Sequence, residues 1–203
     1  MIRPFGEAAL LVELGSPDRA QSLAASLRTD PLRGVVEAVP GLASVLVEVA
    51  PLGARPGALA PALRKRIATL ESVPQPGRLH TIRVVYDGAD LEEVASLSGQ
   101  TPDDVVALHT GTELRVLFCG FAPGFAYLGD LPSALRVDRL PTPRTRTPAG
   151  SVAIAGRMSG IYPADLPGGW RVIGRTDVEL FDPRRDPPVL LLPGDRVRFE
   201  PAR

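Results

Sequence analysis

The chain has 203 residues, and its 23 lysine and arginine residues balance its 23 aspartate and glutamate residues. This balance provides no electrostatic attraction for nucleic acid or for an anionic membrane surface, so neither is expected as a partner. The single cysteine excludes an internal disulfide. No signal-peptide pattern and no membrane-spanning apolar stretch appear in the sequence. We therefore expect a cytoplasmic protein, with a length that allows two domains.

In the first part of the chain, apolar residues follow the periods of strands and helices in turn. The predicted elements are a strand at 8–14, a helix that begins after Ser16, strands at 35–39 and 44–49, a helix over 59–70 and a strand at 79–86. The order β-α-β-β-α-β is that of the ferredoxin-like split βαβ motif, in which two helices cover one face of a four-stranded antiparallel sheet. We place the end of this domain at Asp87, so the predicted domains are 1–87 and 88–203.

The second domain begins with two short helices. Asp90 with Glu93 fits the capping box of the first, and Thr101 with Asp104 fits that of the second. The following segments are short and apolar and are separated by proline and glycine turns: 114–118, 151–156, 170–174, 178–181, 189–192 and 196–199. Because closure removes exposed strand edges, we predict that these strands form a compact β-barrel.

Glycine, proline and arginine are concentrated between Phe118 and Thr176. Glycine allows backbone conformations closed to other residues and proline fixes φ, so this stretch encodes specified turns. Arginine and aromatic side chains would lie at the rims of these turns. The stretch is either a binding surface or the set of turns that any barrel of short strands needs.

Arg144 and Arg146 lie two positions apart in this stretch. In an extended chain both guanidinium groups would point to one face, where a fork of two arginines suits a carboxylate or a phosphate. The alternative is a solvated surface loop. We predict the two arginines as the centre of the site.

The glycines at 120, 124 and 129 imitate a phosphate-binding loop, but the lysine and the serine or threonine of such a loop are missing. The chain therefore carries no standard nucleotide motif. The glycines serve turn geometry, or their backbone amides face a ligand.

The chain contains two histidines, His80 and His109, and they are widely separated from each other and from Cys119. They do not form a zinc-binding set, so no metal is predicted. Cys119 and Ser151 lack the sequence surroundings of a catalytic nucleophile. His109 lies in the last turn of a predicted helix, where it is either a cation favoured by the helix dipole or a site residue.

Four ordered blocks carry a family resemblance: GFAPGFAYLG at 120–129, TPRTRTPAGSVAIAG at 142–156, GIYP at 160–163 and PGGWRVIGRT at 167–176. Through these blocks the chain resembles the family of 5-oxoprolinase B subunits, also called allophanate hydrolase subunit 1 or KipI-like. The resemblance implies an α+β protein with an N-terminal ferredoxin-like domain and a C-terminal cyclophilin-like β-barrel. It does not imply prolyl isomerase activity, because fold does not fix function.

The resemblance also implies a function. The chain would be one component of an ATP-dependent 5-oxoprolinase that opens 5-oxo-L-proline to L-glutamate together with the A and C subunits, and it would be inactive alone. ATP would be used by the complex. Two alternatives accompany the same resemblance, namely a regulatory module that inhibits a sensor histidine kinase and a component of an allophanate- or urea-degrading complex.

Opening a lactam develops negative charge at its carbonyl, which arginines and backbone amides would stabilise. On this basis the predicted catalytic residues are Arg144, Arg146 and His109. The residues predicted to bind the lactam substrate are Gly120, Phe121, Pro123, Gly124, Tyr127, Ser151, Tyr162, Trp170 and Arg175.

Overall fold

A computed structural model of the chain describes residues 1–50, 56–71 and 77–202. The chain divides into two compact units, Met1–Pro76 and Gly77–Arg203, and each unit has its own hydrophobic core. The predicted α+β class is confirmed, with a small sheet in the first unit and a barrel-like sheet in the second. None of the described helices is long and apolar enough to cross a membrane.

The first unit is a four-stranded antiparallel sheet with two helices. Its elements are β1 (Ile2–Phe5), β2 (Ala9–Glu13), α1 (Pro17–Thr29), β3 (Val35–Pro40), β4 (Ser44–Val49) and α2 (Pro56–Ala68), and the strand order is β1-β2-β4-β3. Helix α1 begins as predicted, because the Ser16 hydroxyl accepts a hydrogen bond from the Arg19 amide at 3.3 Å. The buried residues of this helix are Ala20, Leu23, Ala24 and Leu27.

The strand predicted at 79–86 does not complete this first sheet. The observed strand β5 (Leu79–Val84) pairs in parallel with β13 (Arg196–Pro201) in the second unit. The fourth strand of the first sheet is β1, which lies at its edge. The sequence analysis did not predict β1, because it contains Pro4 and proline within a strand is tolerated mainly at sheet edges. The division of the chain therefore falls after Pro76 and not at Asp87.

The second unit is built on a seven-stranded sheet that closes on itself. Its further strands are β6 (Glu113–Cys119), β7 (Ala126–Gly129), β8 (Arg144–Thr147), β9 (Ser151–Ala155), β10 (Met158–Ile161), β11 (Leu166–Gly168) and β12 (Arg171–Arg175). The order of the large sheet is β12-β9-β10-β7-β6-β13-β5, while β8 and β11 form a separate two-stranded sheet. A bridge between Val85 and Arg175 links the two ends of the large sheet. This bridge produces the barrel-like closure.

Two helices, α3 (Leu91–Ser98) and α4 (Pro102–Thr110), lie between β5 and β6 in the chain. The capping box of α4 is confirmed by the reciprocal hydrogen bonds of Thr101 and Asp104. The capping box predicted for α3 is wrong, because Asp90 makes no side-chain bond to its own helix and Glu93 pairs with Arg171 at 2.6 Å.

The prediction of strands at 178–181 and 189–192 is also wrong. They are reduced to a single bridge between Phe181 and Val189. Prolines 183, 187, 188 and 193 lie in and around this region, and proline cannot donate to a strand ladder.

Strand β9 is buried on both faces. Val152 and Ile154 belong to the barrel core, whereas Ala153 and Ala155 pack on the outer side against an aromatic cluster. We use the name aromatic cluster for Phe118, Phe121, Phe125, Tyr127, Tyr162 and Trp170. The barrel sheet therefore separates two apolar layers at this strand.

His109 lies inside the barrel core and is 0% exposed. Its Nδ1 is 2.7 Å from the Tyr86 hydroxyl and its Nε2 is 3.0 Å from the Ser159 hydroxyl, while its ring stacks on Phe199 at 4.4 Å. The Ser159 hydroxyl donates to the Ala153 carbonyl at 3.2 Å, so its oxygen accepts from Nε2 and Nδ1 accepts from Tyr86. Burial lowers the pKa of His109 to about 3. The residue is therefore neutral and is not the helix-terminal cation that the sequence suggested.

Stability should fall in mild acid because of His109. A histidine in the unfolded chain has a pKa near 6.5, so below that pH it binds a proton, whereas the buried ring in the folded chain stays neutral. The contribution of His109 is complete above pH 6.5 and is lost as the pH falls toward about 3. Between pH 7 and pH 5 the second unit should lose about 2 kcal/mol from this residue alone. Urea unfolding followed by the fluorescence of Trp170, the single tryptophan, measures the loss in this unit.

His109→Gln is the control, since glutamine does not titrate in this range. Its unfolding free energy should change less between pH 7 and pH 5 than that of the parent. Equal pH dependence of the two proteins would contradict a neutral, buried His109.

Candidate functional site

A cavity of about 250 Å³ lies in the second unit. Three of the predicted site residues, Arg144, Ser151 and Arg175, line it together with Asp87 and Thr147. We call this space the arginine cavity. Larger grooves of about 390, 420 and 510 Å³ lie on the first unit, but they are lined by none of the predicted site residues.

One wall of the arginine cavity is the seam where the chain leaving β5 meets β12. The Gly88 amide donates to the Ile173 carbonyl at 3.2 Å. The Val85 amide donates to the Arg175 carbonyl and the Arg175 amide donates to the Val85 carbonyl, both at 2.9 Å. A Cβ atom added at Gly174 would lie 2.7 Å from the Val85 carbonyl oxygen, so only glycine permits this approach. The seam therefore depends on backbone contact at glycine positions that the sequence places on both segments.

The seam also holds Arg175 beside Asp87. The Arg175 Nε donates to Asp87 Oδ2 at 2.9 Å, and both side chains remain largely exposed, at 65% and 48%. Such an exposed pair contributes little to stability. It leaves the Arg175 guanidinium at the rim of the cavity, where it is accessible to an anion.

Arg144 is held by the carboxylate of Asp90. The Arg144 Nη2 donates to Asp90 Oδ1 at 2.6 Å, and the other oxygen, Oδ2, accepts from the Val172 amide at 2.6 Å. Asp90 is almost completely buried, whereas the Arg144 side chain is 32% exposed. The Arg144 Nη1 is buried and has no hydrogen-bond partner among the described residues. The guanidinium is thus fixed at one nitrogen and retains donor capacity at another.

Arg146 does not line the arginine cavity. Its Nε and Nη2 both donate to Asp165 Oδ2, at 2.9 and 2.5 Å, on the protein surface. The Ala149 amide donates to the second oxygen of Asp165, and this bond and Arg146 together lower the pKa of that carboxyl. The predicted fork of two arginines does not form, because Arg144 and Arg146 bind two different carboxylates.

The glycine-rich loop between β6 and β7 uses its amides internally. The Gly120 amide donates to the Phe125 carbonyl, the Ala122 amide to the Gly120 carbonyl and the Phe125 amide to the Ala122 carbonyl. The bond from the Ala122 amide to the Gly120 carbonyl closes a γ-turn centred on Phe121, whose φ is 71°. Gly124 has a φ of 83°. Pro123 lies between them. The loop therefore has the turn geometry that was one of the two interpretations, and these three amides do not face a ligand.

The aromatic residues predicted to bind substrate form the aromatic cluster and do not line the cavity. Phe125 contacts Tyr127, Tyr162 and Trp170 edge to face, with ring centroids 5.0 to 5.7 Å apart. Tyr162 and Trp170 are buried, and Phe121 is 58% exposed. Most of the predicted site residues therefore separate into a polar group at the cavity and an aromatic group behind β9, whereas Arg146 and His109 belong to neither.

Asp90 is the site residue that sequence reasoning missed. Aspartate before an apolar helix is the usual sign of an N-cap, and the sequence assigned its side chain to α3. The local pattern cannot distinguish an aspartate that caps its own helix from one that binds an arginine distant in sequence. Arg144 is only one-third exposed, and a partly buried arginine generally needs a carboxylate partner, which here is Asp90.

The arginine cavity is suited to a small anion. It is lined by Arg144, Arg175 and Ser151, and bidentate arginine is well suited to carboxylates and phosphates. Across residues 1–50, 56–71 and 77–202, no group of three His, Cys, Asp or Glu side chains could hold a metal ion.

Comparison with known proteins gives a consistent family. The family model described as carboxyltransferase domain, subdomain C and D, matches residues 1–191. The chain is 42% identical to the 5-oxoprolinase B subunit of Escherichia coli O157:H7 over 98% of this chain and 94% of that protein. It is 35% identical to the 5-oxoprolinase B subunit of Bacillus subtilis over 98% of this chain and 91% of that protein.

A solved structure supports the same fold. The crystal structure of TTHA0988 superimposes with a TM-score of 0.84 at 39% identity and covers 100% of this chain. This chain spans only 40% of the length of that protein. From the full-length similarity to relatives and the match to the family model, the chain belongs to the family of 5-oxoprolinase B subunits.

Proposed function

We propose that the chain is the B subunit of a 5-oxoprolinase complex that opens 5-oxo-L-proline to L-glutamate with the use of ATP in the cytoplasm. The observation that carries this proposal is the similarity to relatives named as 5-oxoprolinase B subunits over 98% of the chain. Because those relatives are subunits by name, we infer partner chains, namely the A and C subunits. The chain alone is expected to be inactive.

The two alternative functions are not favoured. A histidine-kinase inhibitor or a component of an allophanate- or urea-degrading complex would share this fold. The relatives that match over more than nine-tenths of their own length are nevertheless named as 5-oxoprolinase subunits. Similarity of this extent supports the same complex more directly than similarity of fold does.

Within the complex, we assign the binding of the substrate to the arginine cavity. The substrate 5-oxoproline is a single-ring lactam with one carboxylate, and a cavity of about 250 Å³ suits a ligand of that size. Arg144 and Arg175 supply charge-assisted donors for the carboxylate, and Ser151 lines the same space. Arg146 holds the neighbouring loop through Asp165 and has no direct part in this assignment.

ATP is assigned to one of the partner chains. When bound, it supplies the phosphoryl group that activates the lactam carbonyl. The glycine-rich loop of this chain lacks the lysine of a phosphate loop, and its Gly120, Ala122 and Phe125 amides bond to carbonyls of the same loop. This loop therefore does not form a phosphate cradle. The contribution of this chain is to bind and orient the substrate.

Replacement of Arg144 should impair the reaction strongly. Arg144→Lys keeps a positive charge next to Asp90 but loses the planar group with its second nitrogen. Removing one charge-assisted contact costs about 1.5 to 3 kcal/mol, which corresponds to a roughly ten- to hundredfold lower kcat/KM for 5-oxoproline. Glutamate formation by the chain mixed with the A and C subunits, ATP and 5-oxoproline measures this effect.

Arg198→Ala is the matched control. Arg198 is an exposed arginine of the same unit that pairs with Glu113 and does not line the cavity. Its replacement should leave kcat/KM within about twofold, since exposed ion pairs contribute little. Parent activity in an assembled Arg144→Lys complex would remove Arg144 from the site, whereas no glutamate from the assembled parent complex would refute the proposed function itself.

Assembly with the C subunit should be stable. A chain that is inactive alone needs a specific interface, and such interfaces bury more than roughly 1,000 Å². Size-exclusion chromatography with light scattering on the co-expressed pair should therefore show a hetero-oligomer at micromolar concentration. Separate elution of the two proteins under these conditions would count against the proposed assembly.

A further inference from the structure

We propose that Asp90 is the positioning residue of the arginine cavity, which presents Arg144 to the carboxylate of the substrate. This inference rests on the proposed function and concerns the same cavity. Asp90 does not line the cavity itself, so its effect on a ligand passes through Arg144. A small carboxylate is the ligand class that the arrangement fits.

The Asp90 carboxylate is fixed at both oxygens. Oδ2 accepts from the Val172 amide, and the Asp90 amide donates in turn to the Val172 carbonyl at 2.9 Å. The residue is thereby held against β12 by its backbone and its side chain together. Oδ1 remains for Arg144 and receives the 2.6 Å hydrogen bond from Nη2. A carboxylate held in this way has no freedom to follow the arginine, so it determines where the guanidinium lies.

The hydrogen bonds of Arg144 are incomplete without a ligand. Nη2 is bound to Asp90, and the buried Nη1 has no partner among the described residues. Buried polar atoms in proteins are nearly always paired, so an unpaired guanidinium nitrogen of a residue that lines a cavity indicates a missing acceptor. A ligand carboxylate in the arginine cavity provides that acceptor. Asp90 thus uses one edge of the guanidinium and leaves donor capacity for the ligand.

The role in positioning differs from a role in stability alone. A purely structural ion pair would affect unfolding and assembly but not the affinity of an assembled complex for its substrate. A positioning carboxylate affects KM, because a displaced guanidinium no longer meets the ligand. The two roles therefore predict different results for variants that still assemble.

The test uses Asp90→Asn in the complex with the A and C subunits. Asparagine has the same shape but only one acceptor oxygen, so it cannot serve both Val172 and Arg144 as the carboxylate does. At saturating ATP, KM for 5-oxoproline should rise about tenfold or more, with kcat within about threefold of the parent. Asp165→Asn makes the same chemical change at the carboxylate that holds Arg146, and its KM should stay within about twofold.

A double-mutant cycle tests whether Asp90 acts through Arg144. In an Arg144→Ala background, Asp90→Asn should raise KM no further, because the group that it positions is gone. Asp90→Glu is the second variant in case Asp90→Asn fails to assemble. It retains the charge but moves the carboxylate by one methylene, and KM should rise here as well. A parent KM in either assembled Asp90 variant, or an undiminished effect of Asp90→Asn without Arg144, would overturn the proposal.

Direct binding separates this inference from the proposed function. The chain labelled with ¹⁵N is titrated with 5-oxoproline and with 2-pyrrolidinone, the same ring without a carboxylate, and the Val172 and Gly88 amide signals are followed. Asp90→Asn should weaken binding of 5-oxoproline about tenfold and leave that of 2-pyrrolidinone unchanged. An inactive parent complex with Asp90-dependent binding would refute the function and retain the inference, whereas no binding of 5-oxoproline to the parent chain would refute the inference.

Discussion

The buried carboxylate of Asp90 is the interaction on which the candidate site depends. It joins three parts of the second unit, since it precedes α3, accepts from β12 at Val172 and holds β8 through Arg144. Strand β8 belongs to the small two-stranded sheet, so this ion pair fastens that sheet to the barrel. Removing Arg144 would leave the buried Asp90 carboxylate without its ionic partner, which is destabilising. The same bond therefore maintains the fold and shapes the cavity.

The backbone segments that close the barrel also form one wall of the cavity. The bridge between Val85 and Arg175 links the ends of the seven-stranded sheet, and the chain continues directly into Asp87 and Gly88 at the cavity wall. The backbones approach so closely at Gly174 that a Cβ atom would contact the Val85 carbonyl. A defect in closure would consequently displace Arg175 at the rim. The cavity therefore lies at a part of the barrel where the backbone has little freedom.

The sequence predicted what is encoded locally. Helix α1, strands β3 and β4 and the α4 capping box were found because caps and apolar periods lie within one element. Strand β5 was assigned to the wrong sheet because its parallel partner, β13, lies at the far end of the chain. The cavity arginine Arg144 was found, but the fork was not formed, since spacing does not reveal the carboxylates that bind each guanidinium.

The arrangement around β9 explains why the family blocks contain so many small and aromatic residues. Ser151 lines the cavity at one end of this strand, and the following residues alternate between the barrel core and the aromatic cluster. A Cβ atom at Gly160 would lie 3.0 Å from the ring of Phe125 and 3.1 Å from that of Trp170. Glycine there and alanine at 153 and 155 make room for these rings on the outer face of the sheet. Phe125, Tyr162 and Trp170 of the blocks thus pack on the outer face of β9, and this packing holds the strand that carries Ser151 in place.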